Sequence, residues 1–467
     1  MKTSRQAPAP RGPAPWPGVL PLVLAALLLV LPAGATPASG SPVHEYMLDN
    51  GLKLLVREDH RAPVVVSQIW YKVGGSNEHS GITGISHVLE HMMFKGTAKI
   101  PPGKFSKIIA ANGGQDNAFT GKDYTAYFQQ LERSRLAVSF ELEADRMLNL
   151  TLPEDEFMKE RQVVIEERRL RTEDRPRALT YEQFNAVAFL NSPYKNPIIG
   201  WRDDLDSLTV ADLRDWYQRW YTPNNATLVV VGDVVPDEVH ALAQQHFGSL
   251  PKRPVPPIKS RRETPQQGMR RITVRAHAQL PYLLMGYKVP VLKTAAEEWE
   301  AYALEVLAGV LAGGESARFP RRIVREQQLA AGVDVGYNLW GRYSDLFLVD
   351  ATPSEGQTAA GVEAAIRAEI TRLQDELVSE EELRRVKAQV IAQSVYERDS
   401  VFYQAMQLGQ LETVGLGWQR ADEYVDRVRA VTREQLQQVA KKYLVDDGLT
   451  VAVLEPLPVA GAQAGGE

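Results

Sequence analysis

Residues 87–91 read H-V-L-E-H, and their types and spacing fit one zinc-binding turn of a helix. Positions four apart lie on one face of a helix, so His87 and His91 project together and Glu90 lies beside them. A neutral imidazole nitrogen binds zinc at about 2.0–2.1 Å, and a catalytic zinc site keeps one position open for water. The motif therefore supplies two candidate ligands and a candidate base, and a third protein ligand must come from elsewhere in the chain.

The order of the motif is the inverse of H-E-x-x-H, and both orders are signatures of zinc enzymes. The chain has only 8 histidines in 467 residues, so a chance match has a probability of roughly one in a hundred. The alternative interpretation is a pair of surface histidines on an amphipathic helix. The scarcity of histidine favours the metal site.

The composition excludes several other kinds of chemistry. The sequence contains no cysteine, which excludes disulfides, thiolate zinc sites, thiol catalysis and a lipidated N-terminal cysteine. With 467 residues the chain has room for two or three domains, each with its own core. The net charge is −5, and removal of the first 35 residues, which carry Lys2, Arg5, Arg11 and no acid, makes it −8. A mildly acidic protein gives no reason to expect nucleic acid as a partner.

The N-terminus predicts a secretory signal at residues 1–35. After the three cations comes an apolar run from Val19 to Leu31, followed by Ala33-Gly34-Ala35, a small-x-small cleavage signature. The run has thirteen residues and contains Pro21, whereas a bilayer span needs about 20, so an uncleaved anchor is the weaker alternative. Residues 36–43 read as a flexible leader. We expect a secreted protein of the bacterial periplasm, with no stable membrane insertion after cleavage.

Short strands and a loop precede the motif and must position it. Tyr46–Leu48 and Leu52–Val56 flank an Asp-Asn-Gly turn, which predicts a hairpin because Asn and Gly tolerate positive φ. A third strand is predicted from Val64 to Val73. The loop from Gly81 to Gly84 delivers the start of the helix, with Thr83 as a candidate N-cap.

The run from Gly84 to Thr97, G-I-S-H-V-L-E-H-M-M-F-K-G-T, resembles the signature of the pitrilysin or insulinase family of zinc peptidases. In its length and in the sequence of its motifs, the chain is most similar to the branch that contains the beta subunit of the mitochondrial processing peptidase and its bacterial periplasmic relatives. The resemblance extends from His44 to Pro456, with the strongest motifs in the first half. It implies one Zn²⁺ per chain, held in part by His87 and His91, with Glu90 as the general base.

A second predicted helix, at about residues 154–172, carries the acids that complete the site. One face has two valines between two acids: Glu160, Val163, Val164 and Glu167. Carboxylates on an apolar face would be buried and would need a partner or a metal. The resemblance implies that Glu167 is the third zinc ligand, with Glu166 as the competitor one residue away in register. It also implies that Glu160 is a supporting catalytic acid, and a plain surface acid is the alternative. The other charged residues predict a solvated run: Glu166, Arg168 and Arg169.

The candidate substrate strand lies between the two helices already described, after a further predicted helix. That helix, at 105–112, ends at Gly113-Gly114, and a polar, β-prone stretch follows. In the family, the segment matching Gly114 to Thr120 is an edge strand beside the metal, where a peptide adds as a further strand. The resemblance therefore implies substrate contacts from five residues: Gly114, Asn117, Ala118, Phe119 and Thr120. Without the resemblance, an ordinary hairpin is the alternative.

The two halves of the chain repeat one another. Leu208–Leu213 matches Val431–Leu436 at an offset of 223 residues, and Val164-Ile165 matches Val390-Ile391 at an offset of 226. Repeats of this length indicate duplicated domains. The sequence therefore predicts an α+β fold of two homologous lobes, each a largely antiparallel β-sheet packed with helices. The predicted domains are a metal-bearing lobe at 44–250, a linker at 251–268, a metal-free lobe at 269–456 and a disordered tail at 457–467.

The second lobe cannot hold a matching metal site. Its counterpart of the zinc helix, Glu297 to Leu311, has no histidine, and Gln393 stands where the first lobe has Glu167. In many family members, an Arg and a Tyr seven positions later, from this lobe or a partner's, contact the substrate. Here Arg325 takes the first position, although it is equally an ordinary surface residue, and Gly332 takes the second. We therefore expect a homologous, metal-free partner subunit to supply the missing donor, with a homodimer as the alternative.

These residues predict a zinc endopeptidase that acts on extended peptides or unfolded protein. Glu90 would take a proton from the water in the open metal position and return it to the leaving amine. Two other classes stay open. One is a non-catalytic binding or assembly subunit, and the other is a zinc hydrolase that acts on a non-peptide amide.

Overall fold

The computed structural model describes residues 41–458. Within this range the chain forms two lobes, each built on one β-sheet with helices packed against it. The predicted signal at 1–35, most of the leader at 36–43 and most of the tail at 457–467 lie outside the described residues. None of the helices between residues 41 and 458 is long and apolar enough to cross a bilayer.

The first lobe contains a six-stranded sheet. Its strands are β1 Val43–Met47, β2 Lys53–Glu58, β3 Val64–Tyr71, β4 Gln115–Thr120, β5 Thr125–Glu132 and β6 Ala226–Gly232. Their order is β1-β2-β6-β3-β5-β4, and every neighbouring pair is antiparallel except β2 and β6. The predicted hairpin is confirmed, because β1 and β2 pair across the Asp-Asn-Gly turn. The candidate substrate strand β4 lies at the edge of this sheet.

The second lobe contains a five-stranded sheet. Its strands are β7 Arg270–His277, β8 Tyr282–Val289, β9 Ala330–Gly336, β10 Asp345–Pro353 and β11 Leu449–Leu457. The order β7-β11-β8-β10-β9 repeats that of the first sheet without β1, and again one pair, β7 with β11, is parallel. Even the register repeats, since Thr227 pairs with Trp70 of β3, and Thr450 pairs with Gly286 of β8. The predicted duplication and fold class are confirmed.

The lobes also share helices, eight being present in the first lobe and six in the second among residues 41–458. Those of the first lobe are α1 Ile85–Met92, α2 Phe105–Ala111, α3 Leu136–Asn149, α4 Glu154–Arg168, α5 Pro176–Ala188, α6 Arg202–Ser207, α7 Val210–Trp220 and α8 Pro236–Phe247. Those of the second lobe are α9 Glu298–Ala312, α10 Ala359–Asp375, α11 Glu380–Glu397, α12 Val401–Val414, α13 Arg420–Ala430 and α14 Arg433–Tyr443. Helices α7 and α14 both begin with a capping box, at Thr209 and Thr432.

The two lobes exchange one helix each. Helix α12 of the second lobe packs on β3 and β6 of the first sheet, and helix α5 of the first lobe packs on β7, β8 and β11 of the second sheet. Helix α5 directly follows α4, which packs on α1, and helix α12 directly follows α11, which packs on α9. The two exchanged helices therefore occupy equivalent places in the two halves of the chain. Burial of apolar surface between the lobes therefore stabilises both sheets at once.

Each exchanged helix packs on its sheet through a contact between one aromatic side chain and one glycine. In one lobe the glycine is on the helix, and in the other it is on the sheet. A Cβ at Gly409 of α12 would lie 2.2 Å from the indole of Trp70 on β3. At the equivalent place in the second lobe the glycine is on the sheet, where a Cβ at Gly286 would lie 2.6 Å from the ring of Phe184 on α5. Because interiors are close-packed, neither glycine has room for a methyl group.

Residues 251–268 connect the lobes without a helix or strand. Glu263 in this segment accepts the backbone N–H groups of residues 190–192 at 2.8–2.9 Å and pairs with Lys288 at 2.6 Å. Arg261 donates to the Glu78 carbonyl oxygen at 3.0 Å. This segment therefore lies against both lobes and is not a loose tether.

Replacing Gly409 by Ala should destabilise the protein by about 1–3 kcal/mol, because the added methyl group overlaps the Trp70 indole. Chemical denaturation monitored by circular dichroism measures the change. The matched control is Gly332→Ala, since a Cβ there meets nothing within 4 Å, and we expect a change within about 0.5 kcal/mol. Equal stability of the two variants would contradict the packing described for α12.

Candidate metal centre

The carboxylate of Glu78, in the loop before the helix, accepts from the first backbone N–H groups of α1. Gly84 is the N-cap residue with a φ of 86°, and a Cβ there would lie 2.6 Å from a backbone carbonyl oxygen. The backbone N–H groups of Gly84 and Ser86 donate to the Glu78 carboxylate at 2.8 and 2.9 Å. Because the first N–H groups of a helix have no partner within it, Glu78 satisfies donors that would otherwise be orphaned. The prediction of Thr83 as N-cap is wrong, since its hydroxyl donates to Asp204.

Helix α1 buries one face in the first-lobe core and leaves its chemistry on the other. The buried residues are Ile85, Ser86, Val88, Leu89 and Met92. His87, Glu90 and His91 are partly buried and lie on the remaining side, facing α4 and β4. The apolar spacing that forms the helix thus also fixes the direction in which the motif projects.

Three of the predicted residues converge. His87, His91 and Glu167 each offer a ligand atom, and these atoms lie within 4.8 Å of one another. The imidazole rings of His87 and His91 are 4.9 Å apart at an angle of 76°, and His91 Nε2 is 3.6 Å from Glu167 Oε2. Within residues 41–458 this is the one group of three or more potential ligands that come together in this way.

Glu160 orients His91 from outside the cluster. Its carboxylate lies 3.1 Å from His91 Nδ1, and its other oxygen accepts from Lys95 Nζ at 2.6 Å. A carboxylate on the second ring nitrogen fixes the tautomer of a ligating histidine and leaves the first nitrogen for the metal. Glu160 therefore has the contacts of a positioning residue, with Lys95 as its counterion.

The residues present fit a divalent metal ion. His87 Nδ1 is buried and has no hydrogen-bond partner among the described residues, which leaves a polar atom without compensation. Burial, followed by the nearby His91 and Arg171, lowers the pKa of His87 to about 3, so the imidazole is neutral. Neutral imidazoles and a carboxylate are the donor set that zinc prefers.

Glu90 lies between the cluster and the edge strand. The Thr120 hydroxyl at the end of β4 donates to Glu90 Oε2. Burial raises the pKa of Glu90, and the Thr120 hydrogen bond and His91 oppose this while Glu167 reinforces it. A carboxylate whose pKa is raised from its usual range is suited to exchange protons near neutral pH.

The face assigned to α4 from periodicity is partly wrong. Val163 is 48 % exposed, whereas Val164 is fully buried and Ile165 packs beside it. The side chains of Glu160 and Glu167 are 13 % and 17 % exposed, so these two acids are mostly enclosed as predicted. They are enclosed by α1 and its histidines, and a valine stripe does not cover them.

The charged run at the end of α4 contains one buried member. Glu166 is exposed and pairs with Arg169, as predicted. Arg168 is buried, contrary to the prediction, and donates to both oxygens of Glu182 at 2.7 and 2.8 Å. The helix continues as a π-helical segment, Arg169–Glu173, directly after Glu167 and Arg168. Such segments are frequent at functional sites.

The predicted substrate residues lie on or beside β4. Asn117, Ala118, Phe119 and Thr120 belong to the strand, and Gly114 immediately precedes it. Asn117 is exposed, whereas the Phe119 ring packs 5.3 Å from Trp70. Only β5 pairs with β4 in the described range, so the outer backbone groups of β4 are open.

Arg325 is not brought to the cluster. It is exposed on the π-helical segment Pro320–Glu326, and its guanidinium donates to the Glu315 carbonyl in its own lobe. No hydrogen bond joins it to the motif helix anywhere in residues 41–458. Gly332 lies on β9, the strand at the edge of the second sheet.

Two cations at the centre were missed in the sequence. Arg171 pairs with Glu167 at 2.8 Å, and Lys95 pairs with Glu160. The i, i+4 spacing of Glu167 and Arg171 on a predicted helix is a signal that identifies this pair. Lys95 carries no comparable signal, because it lies beyond the end of α1 and meets Glu160 only through the fold.

Two family models match the chain. Residues 53–201 match the family described as "Insulinase (Peptidase family M16)", and residues 207–390 match "Peptidase M16 inactive domain". The chain is 33 % identical over 442 residues to the zinc protease PqqE of Helicobacter pylori, which covers 92 % of this chain and 97 % of that protein.

Solved structures show the same fold. The crystal structure of a protease from Helicobacter pylori aligns with a TM-score of 0.84 and 31 % identity, over 89 % of this chain and 100 % of that one. The first half of the periplasmic protease PqqL from Escherichia coli aligns with a TM-score of 0.74 and 20 % identity, over 89 % of this chain and 92 % of that one.

Replacing Glu167 by Ala should weaken zinc binding by more than about 100-fold. Loss of a residue that only supports a ligand weakens metal binding by about 10- to 100-fold, and loss of a ligand itself should exceed that range. Glu166→Ala is the matched control and should bind zinc normally, because Glu166 pairs with Arg169 outside the cluster. Zinc per chain is measured by atomic emission after dialysis. Zinc loss in Glu166→Ala together with retention in Glu167→Ala would assign the opposite register to α4.

Proposed function

The chain belongs to the insulinase (peptidase M16) family, and on that premise we propose that it is a zinc-dependent endopeptidase that hydrolyses extended peptides. The observation that carries the proposal is the convergence of two imidazoles and a carboxylate beside a further carboxylate, Glu90. This combination supplies both a metal site and a base. A subunit that only binds or assembles would need neither.

His87, His91 and Glu167 would hold one zinc ion per chain. Bound zinc supplies Lewis acidity, which polarises a carbonyl group and lowers the pKa of water. Glu160 holds the His91 ring in the orientation that presents Nε2 to the cluster. Glu160 therefore acts through His91 and does not need to touch the substrate.

Glu90 would act as the general base and then as the general acid. One of its oxygens accepts the Thr120 hydroxyl, which leaves the other to take a proton from water. The same oxygen would return that proton to the amine that leaves when the peptide bond breaks.

The open edge of β4 supports an extended peptide as the substrate. A peptide that pairs with β4 gains backbone hydrogen bonds regardless of its side chains. Thr120 ends this strand and contacts Glu90, so a peptide in this register would pass directly beside the base. Asn117, Ala118 and the backbone after Gly114 would contact the substrate along the same edge.

A homologous, metal-free partner subunit would complete the site. Gly332 stands where a tyrosine is expected from the resemblance, and Arg325 bonds within its own lobe. The second lobe of this chain therefore offers the centre no hydrogen-bond donor from these two positions. A heterodimer supplies the donor from another chain, and a homodimer is the simpler alternative. The signal-like N-terminus supports export to the periplasm.

Replacing Glu90 by Gln should leave zinc bound and lower kcat by about 10²–10⁴-fold, because it removes the base and no ligand. Hydrolysis of a quenched fluorescent peptide library and zinc content are measured on the same preparation. Glu166→Gln, with the same loss of charge at an exposed position, should keep full activity. Full activity in Glu90→Gln would contradict the assigned role.

The lone chain should hydrolyse peptides at a small fraction of the rate of its complex with a homologous metal-free subunit. The reason is the missing tyrosine at Gly332 and the position of Arg325. Peptide cleavage is compared for the chain alone, for the candidate partner alone and for an equimolar mixture. Full activity of the lone chain would remove the need for a partner.

A further inference from the structure

The second lobe keeps an open cavity at the counterpart of the metal centre. Glu305 and Gly309 are four residues apart on α9, the spacing of the two histidines on α1. Gln393 on α11 is the counterpart of Glu167 on α4, at the offset of 226 residues. All three line one cavity of about 410 Å³. The duplication has therefore lost the metal ligands but has not filled the space with apolar side chains.

The lining of this cavity includes two acids, Glu305 and Glu397, and two aromatic side chains, Trp340 and Tyr424, among glutamines, valines and glycines. Glu305 is partly buried and accepts the Tyr424 hydroxyl at 3.3 Å, and the Tyr424 and Trp340 rings lie 5.9 Å apart at 51°. Glu397 lies at the exposed rim and accepts from Gln393 at 2.9 Å. None of the described residues that line the cavity is a lysine, arginine or histidine.

The two carboxylates accept hydrogen bonds from Tyr424 and Gln393, but no residue of the lining offers them a positive charge. Burial raises the pKa of Glu305 to about 7, the Tyr424 hydroxyl opposes the shift and Glu397 adds to it. A carboxylate in such surroundings is stabilised by an opposite charge that enters the cavity. Aromatic faces also attract cations, and Trp does so most strongly.

We propose that this cavity binds an organic cation, guanidinium or ammonium. The cation is a basic side chain, Arg or Lys, of the peptide substrate that is bound to the same protein molecule. A guanidinium pairs with a carboxylate through two hydrogen bonds and stacks on an aromatic ring, and Glu305 and Trp340 offer both. Two carboxylates without a third ligand do not form a metal site, and this cavity contains no group like that of the first lobe.

That the cavity prefers a cation is inferred from its lining alone. That a peptide substrate supplies this cation rests on the proposed peptidase function. The experiment uses the full chain carrying Glu90→Gln, which binds peptide but turns it over slowly. A fluorescein-labelled peptide with one arginine and the same peptide with citrulline, a neutral isostere, are compared by fluorescence anisotropy. We expect the arginine peptide to bind about tenfold more tightly.

Adding Glu305→Gln should abolish this difference while keeping the shape of the cavity. The matched control is Glu381→Gln, an exposed acid on the same helix as Glu397, and it should retain the tenfold ratio. Glu397→Gln at the exposed rim should reduce the ratio and provides the test if Glu305→Gln fails to fold. A ratio unchanged by both substitutions would overturn the proposal.

Free arginine amide separates the two sources of the cation. If it competes only with the arginine peptide, the cavity binds a cation and a peptide supplies it. If it binds while the two peptides bind equally, the assignment of the source is overturned. If it does not bind and the peptides bind equally, the cavity proposal fails altogether. Zinc content and hydrolysis by the unmodified chain test the peptidase function separately, so the two failures are distinguishable.

Discussion

The approach of α4 to α1 is the contact on which the rest of the structure depends. It places the Glu167 carboxylate against two imidazoles, with the ligand atoms within 4.8 Å of one another. Among residues 41–458, His87 Nδ1 is buried and has no hydrogen-bond partner, and a buried polar atom without a partner is costly. Glu160 and Glu78 act from outside, the first on the orientation of His91 and the second on the start of α1.

The exchange of helices makes the two lobes one body. Trp70 packs against Gly409 and Phe184 packs against Gly286, so the same contact is made twice with the aromatic side chain on opposite partners. The turn after Thr120 is tied to the second lobe as well, because Asp123 accepts from the Arg342 backbone N–H at 3.1 Å. Hydrogen bonds therefore link the end of β4 both to Glu90 and to the second lobe.

Several features were predictable from the sequence because they depend on local spacing. The H-V-L-E-H motif sets the helix face, and the offset of 223 residues predicts two equivalent sheets, which the matching pairs of Thr227 and Thr450 confirm. Features that depend on distant partners were not predictable. Arg168 is buried because Glu182 on α5 receives it, and the periodicity of α4 carries no sign of that contact. Thr83 does not cap α1, because its hydroxyl donates to Asp204 and accepts the Trp201 N–H, both more than 100 residues away in the chain.

Anomalous diffraction at the zinc edge, from crystals of the chain grown with zinc, tests the metal site directly. We expect one strong peak per chain, within about 2.0–2.2 Å of a nitrogen of His87, a nitrogen of His91 and an oxygen of Glu167. A peak that lies elsewhere, or one held by the histidines with Glu167 turned away, would contradict this expectation.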